Sequence, residues 1–235
     1  MQLVLPVSFS KENEFTTFIE GDNGASVAHI KSVLTQPDNF MPASQRICMI
    51  DGSSGVGKTH LLLAITEMAQ RKGISHQYVN MASLVNLPTE VLQGIIVNQV
   101  ICIDNIDLVS ASSDWQRGLF DFINQFVEND NTLLLMASSQ AISQLELTLA
   151  DLRTRLQWGV NFSLKPLNDE QKQQALIQHA QALGMSFQDD AIKFLLNRTS
   201  RDMGVLMSHL QALDKASLQN KRKVTIPFIK STLKL

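Results

Sequence analysis

The sequence predicts an α/β protein, a parallel sheet flanked by helices with a small helical domain at its C-terminal end. Three observations carry this expectation. The apolar run Ile47-Cys48-Met49-Ile50 leads through a glycine-rich loop into the helix-like run Leu61-Leu62-Leu63-Ala64-Ile65. Two further apolar runs, residues 97–103 and 133–136, are separated by helical spacing and end at Asp104 and Ser138-Ser139. Short continuous apolar strands joined by helical crossovers describe a parallel sheet covered on both faces. Beyond Lys165-Pro166 the pattern is helical only. The chain is therefore expected to divide into a mobile N-terminal peptide (1–12), an α/β base (13–165) and a helical lid (166–235).

Taken in order, residues 1–12 begin Gln2-Leu3-Val4-Leu5-Pro6-Val7 and then turn polar. Pro6 stops a helix. Two readings remain, an edge strand or a cover for the core on one side, and a linear peptide that docks into an apolar pocket on another protein on the other. Phe18-Ile19-Glu20-Gly21-Asp22-Asn23 reads as a turn, with Asn23 or Ser26 placed to cap a helix carrying Val27, Ile30, Val33 and Leu34 on one face. The helix after the glycine loop should start at Lys58 and be stopped by Gly73. Tyr78-Val79-Asn80 reads as a strand, and residues 89–92 as a short helix after Pro88. Asp114 is placed to cap a helix with Trp115, Leu119, Phe122, Ile123 and Phe126 at helical spacing. In the lid, residues 168–183, 188–197 and 201–219 read as helices, followed by a basic turn, Lys221-Arg222-Lys223, and residues 226–233.

The chemistry concentrates in Gly52-Ser53-Ser54-Gly55-Val56-Gly57-Lys58-Thr59, between strand and helix. This is the phosphate-cradling P-loop in its required context. Its glycines let backbone N–H groups turn toward an anion, the helix start adds its positive dipole end, Lys58 adds a full charge, and Thr59 offers a hydroxyl to Mg²⁺. Asp104, ending a neighbouring buried strand, is the carboxylate expected to hold that ion's hydration shell. The next residue is Asn105, whose amide cannot accept a proton from an attacking water, and this argues against rapid hydrolysis by the chain alone.

Two arginines stand apart. In Asp151-Leu152-Arg153-Thr154-Arg155-Leu156 the leucines lie one helical turn apart and should face the core. Arg155 then has two readings, a cation that reaches a nucleotide on an adjacent molecule or an exposed pair with Asp151. Arg201 is expected to open the lid's third helix, either beside a phosphate or in solvent. The five histidines show no metal-ligand spacing with Cys48 and Cys102, so no zinc site is inferred. Both cysteines sit in apolar runs and read as core residues in a reducing compartment. With a net charge of −2, a general electrostatic attraction to nucleic acid is not expected. No stretch reads as a signal peptide or a membrane span, and the expected location is cytoplasmic.

These landmarks together resemble the AAA+ family, and within it the branch that groups the nucleotide-binding part of the bacterial initiator DnaA with its regulatory homologues. The resemblance rests on residues 18–23, the P-loop with His60-Leu61-Leu62, Cys102-Ile103-Asp104-Asn105-Ile106-Asp107, residues 151–159 and residues 224–230. It implies that Phe18, Ile19 and Asn23 border the adenine, with Gly52, Ser53, Ser54, Gly55, Val56, Gly57, Lys58 and Thr59 around the phosphates of ADP or ATP. Thr59 and Asp104 would serve Mg²⁺ through the nucleotide. Arg201 matches the sensor 2 arginine of the lid, and Arg155, not Arg153, matches the box VII arginine presented in trans to ATP on DnaA. Gln2-Leu3-Val4-Leu5-Pro6 is similar to the peptide with which such regulators grip the DNA polymerase sliding clamp.

Three departures from the wider family shape the expectation. The chain ends with the lid, Asn105 replaces the more usual acid, and Ser138-Ser139 stands where relatives often carry Gly-Asp or Ser-Asp at sensor 1. The function implied is negative regulation of chromosomal replication initiation. An ADP-bound protein would dock on the DNA-loaded clamp and stimulate hydrolysis of ATP bound to DnaA, with little or no ATPase of its own. The alternative is an autonomous AAA+ ATPase acting as a helicase-loader-like motor.

Overall fold

The alternating side chains of the central strands meet two different helical layers, which is why these strands read as unbroken apolar runs. In the computed structural model, which describes residues 14–35, 42–128, 132–188, 190–220 and 223–235, the base begins with α1 (Gly24–Thr35), α2 (Ala43–Arg46), β1 (Ile47–Asp51), α3 (Lys58–Arg71) and β2 (His76–Asn80). It continues with α4 (Met81–Leu84), β3 (Val100–Asp104), α5 (Ser113–Glu128), β4 (Leu133–Ser138), α6 (Ala150–Trp158) and β5 (Val160–Ser163). The lid helices are α7 (Asp169–Ala182), α8 (Ala191–Arg198), α9 (Met203–Asn220) and α10 (Ile226–Leu233). The expected N-terminal peptide, Gln2, Leu3, Val4, Leu5 and Pro6 included, lies outside the described residues.

The strands are all parallel, in the order β2-β3-β4-β1-β5. Ile47, Met49, Ile101, Ile103, Leu134 and Met136 face a layer built from α5 and α6, including Trp115, Phe122, Phe126, Leu152 and Leu156. Cys48, Ile50, Cys102 and Leu135 face α1 and α3, through Val27, Ile30, Leu61, Leu62 and Ile65. The lid has its own core around Leu176, Leu195, Leu206, Leu210 and Ile229. Register places the strand ends level, with Asn80 opposite Asp104 and Asp51 opposite both Ser138 and Ser163. One polar row thus runs along the C-terminal edge of the sheet, where ligands of such sheets bind.

Several local expectations change. The strand expected over residues 97–103 begins only at Val100, and Val97 is 77% exposed. The Gln99 N–H is drawn instead to the Ser75 carbonyl and hydroxyl, both at 3.0 Å, which makes residues 97–99 a loop. Asp114 lies inside the first turn of α5, and the Trp115 N–H donates to the Ser112 hydroxyl at 3.3 Å. The sheet's edge strand β5 was not foreseen, because its four residues alternate in exposure and include Asn161 and Ser163 in place of an apolar run. A parallel bridge joins Phe187 and Val224 among the helices of the lid. Asn168 caps α7 through a reciprocal capping box with Gln171, each bond 2.9 Å. No described helix is long and apolar enough to cross a membrane.

Candidate functional site

Between β1 and α3 the chain turns through three glycines at positive φ, Gly52, Gly55 and Gly57. Gly55 shows why the lid matters here. A Cβ at that position would lie 3.0 Å from the Asp202 carboxylate and 3.1 Å from the Gly204 nitrogen, so the start of α9 rests against the loop. Lys58 folds back into the loop and donates to the carbonyls of Gly52 (2.5 Å) and Ser53 (2.9 Å). The residue is 8% exposed and has no carboxylate partner within ion-pair distance among the described residues. Burial lowers its pKa, and Asp104, Asp107 and Asp51 push in the opposite direction without touching it. A buried cation held by carbonyls at a helix start fits a phosphate, which supplies the missing countercharge.

The strand ends complete the base side of the site. Asp104 is fully buried, and one of its carboxylate oxygens accepts from the Thr59 hydroxyl at 2.5 Å and from the Tyr78 hydroxyl at 3.0 Å. A carboxylate and a threonine hydroxyl are the hard oxygen donors that suit Mg²⁺. Tyr78 is pushed above its ordinary pKa range by burial and by Asp104, so it stays a donor. The described residues contain no group of three His, Cys, Asp or Glu side chains that could cage a metal.

A cleft of about 440 Å³ opens between base and lid over this row. Phe18, Ile19, residues 54–59, Asn105 and Ser139 line it from the base, and His179, Met203, Gly204, Met207 and Gln211 from the lid. Gly52 and Ser53 contribute through the carbonyls that hold Lys58. Asn23 is elsewhere. Its buried amide exchanges hydrogen bonds with the Lys165 backbone, donating at 3.0 Å and accepting at 2.7 Å, and so ties the residue 18–23 turn to the connection into the lid. Arg201 precedes α9 instead of opening it, is exposed, and pairs with Asp169 at the start of α7. It does not line the cleft.

His60 and His179 meet across the seam of base and lid, ring centroids 5.1 Å apart, with Phe18 edge-on to His60 at 5.2 Å. Burial, and then the neighbouring His179, pull His60 down to about 4, against the hydrogen bond its ring donates to the Glu14 carbonyl at 3.2 Å. Burial also lowers His179. Cys48 and Cys102 are buried and pushed up to about 12, which makes them inert thiols.

The two arginines of α6 have opposite surroundings. Arg153 donates to the carbonyls of Ile142 (3.1 Å), Ser143 (3.4 Å), Leu145 (2.9 Å) and Leu147 (3.4 Å). Arg155 has no ion-pair partner among the described residues, and its guanidinium lies 5.5 Å from the ring centre of Trp158, itself 44% exposed. Gln116, buried in α5, fixes the approach to α6 by accepting from the Thr148 N–H (2.9 Å), the Thr148 hydroxyl (3.1 Å) and the Leu149 N–H (3.1 Å). Sequence reasoning missed Gln116, Tyr78, Asp107 and His179. Their roles come from partners 26 to 119 residues away in the chain, or from one rigid turn, and no local spacing marks them.

A sequence model of the bacterial DnaA ATPase domain matches residues 9–163, and one of the Hda lid domain matches residues 169–233. Among solved structures, domain III of the Thermotoga maritima replication initiation protein DnaA superposes with a TM-score of 0.76 at 18% identity, covering 97% of each chain. AMPPCP-bound DnaA from Aquifex aeolicus gives 0.67 at 18% identity, over 88% of this chain and 65% of that one. A RuvB variant from Thermotoga maritima gives 0.67 at 15% identity, over 94% and 71%. At these identities the structures establish the fold, and the sequence models establish the rest: the chain belongs to the DnaA-related branch of AAA+ replication proteins, with a base of the bacterial DnaA ATPase type and a C-terminal Hda lid.

Proposed function

We propose that this protein is a negative regulator of replication initiation that binds ADP in the base–lid cleft and presents Arg155 to ATP held by DnaA. The observation that carries the reading is the division of labour on α6. Arg153 is consumed by four carbonyls of its own chain, whereas Arg155 stands beside an exposed indole without a carboxylate partner among the described residues. An arginine in that position can stabilise the charge that develops on a phosphoryl group of another molecule.

Within the cleft, Lys58 and the loop amides would take the phosphates, while Thr59 and Asp104 would serve Mg²⁺, which neutralises phosphate charge when bound. Phe18 and Ile19 give the base side an apolar wall. Asn105 at the end of β3 supports a role in binding over a role in hydrolysis. Residues 13–165 and 166–235 then act as a nucleotide-held pair, and Gln2, Leu3, Val4, Leu5 and Pro6 are the proposed contact with the sliding clamp. DNA enters only through that clamp.

The test is hydrolysis of DnaA-bound ATP in the presence of DNA-loaded clamp and this protein, with and without Arg155→Ala. The substitution should lower the stimulated rate by about 10³-fold or more, the usual contribution of an arginine finger. Unchanged stimulation would sink the mechanism. Robust steady-state ATP turnover by the purified chain alone would favour the motor reading instead.

A further inference from the structure

Neither the glycine loop nor α6 makes use of Asp107. Ser139, just past β4, donates both its backbone N–H and its hydroxyl to the two carboxylate oxygens of Asp107, each at 3.0 Å. Asp107 sits in the first turn of the 3₁₀ segment Ile106–Ala111, which the chain enters through Asn105 in the left-handed conformation (φ 58°, ψ 44°). Asparagine tolerates that conformation where most residues do not. The Asn105 amide in turn donates to the Asn80 side-chain oxygen at 3.0 Å. A polar chain across the ends of β2, β3 and β4 therefore fixes one carboxylate directly behind Ser139.

Ser139 and Asn105 line the cleft together with Lys58, and the charge of Asp107 is felt at Lys58. Both Ser139 donors are taken up by Asp107, so neither is offered to an anion in the cleft. This end of the cleft consequently presents an amide and a masked serine backed by a negative charge, while the positive groups belong to the loop.

We infer that Asp107 is a specificity-determining residue that disfavours a third phosphate and sets a preference for a nucleoside diphosphate over the triphosphate. The diphosphate is satisfied by the loop and Lys58. A triphosphate brings added negative charge toward a site that holds a fixed carboxylate and no free donor from Ser139. The inference rests on the reading that the cleft holds a nucleotide and is independent of any partner's ATP.

Equilibrium titration of the purified full chain with Mg-ADP and with Mg-ATP tests it, comparing wild type with Asp107→Asn, Asp107→Ala and Ser139→Ala. Wild type should bind ADP more tightly than ATP. Either neutral replacement of Asp107 should narrow the ratio about tenfold, chiefly through tighter ATP binding, as expected for removing one fixed charge in a partly buried cleft. Ser139→Ala leaves that charge in place and should keep the preference. A ratio that stays the same in both Asp107 variants, or affinities that fall equally for both nucleotides, would make the Asp107–Ser139 contact a loop staple and overturn the inference. Failure of wild type to bind either nucleotide would instead overturn the nucleotide site itself.

Discussion

Lys58 and Arg155 are both cations without a carboxylate partner among the described residues, and their surroundings could hardly differ more. Lys58 is buried, folded onto two carbonyls of its own loop, and faces a cleft lined by both base and lid. Arg155 is half-buried on a helix face, resting on an exposed tryptophan. A buried unpaired charge is costly unless a ligand neutralises it, so the first site is built for something the chain itself binds. A half-exposed one costs little to maintain and remains available to another surface. On the proposed function, the difference separates holding a nucleotide from acting on one.

The sharpest way to break that contrast is to remove each charge in turn. Lys58→Ala should weaken nucleotide binding on the order of a hundredfold, because charge-assisted hydrogen bonds to phosphate are lost. Arg155→Ala should leave that affinity unchanged while removing stimulation of DnaA. Calorimetric titration read beside the hydrolysis assay gives both outcomes, and a loss of nucleotide affinity in the Arg155 variant would erase the distinction between the sites.

A second substitution shifts the Arg155 platform without touching the cleft. Gly159 ends α6 against β1 so closely that a Cβ there would lie 2.4 Å from the Ile47 carbonyl oxygen. Gly159→Ala must displace the helix end or the strand, at a cost of about 3 kcal/mol. The expected result is a lower melting temperature and lost stimulation, with ADP affinity retained by the folded fraction. Undiminished stimulation would show that the position of α6 is not critical.

Acid acts on the opposite region. His60 is held at about 4, below its ordinary 6.5, by burial at the base–lid seam and by His179. A depressed folded-state value means that the unfolded chain takes up the proton first as pH falls. The neutral seam's contribution is therefore fully present above about 6.5 and is lost progressively down to about 4, amounting to roughly 3 kcal/mol. Denaturant unfolding across that window should show the loss, and His60→Gln should flatten it. A profile that is unchanged in the variant would remove His60 as its cause.

The chain-local parts of this architecture were legible in the residues, because they depend on short-range rules. The loop glycines, the helix starting at Lys58 and the carboxylate ending β3 follow from spacing and hydrophobic runs alone. The strand β5 was not legible, since an edge strand needs only one buried face and its neighbour β1 lies over a hundred residues earlier. Asp107 and Gln116 were invisible for a related reason. A polar residue in a helical or turn pattern reads as solvated until its distant partners, Ser139 and residues 148–149, are brought beside it. Arg153 and Arg155 were separable by family motif but not by spacing, and the carbonyls of residues 142–147 supply the physical reason for the difference.

The smallest effect tests how Arg155 is aimed. Trp158 carries the Arg155 guanidinium at 5.5 Å from its ring centre, and an exposed cation–π contact of this kind contributes roughly 0.5–1 kcal/mol. Trp158 touches the arginine and not the cleft, so its loss should act on orientation alone. Trp158→Ala should lower the maximal stimulated rate of DnaA-bound ATP hydrolysis by about two- to five-fold, while Trp158→Phe restores most of it through a weaker aromatic face. The protein concentration giving half-maximal stimulation should stay the same in both. A large rise in that concentration with an unchanged maximum would assign Trp158 to the docking surface. In that case the arginine is steered by the partner's contact and not by the indole beneath it.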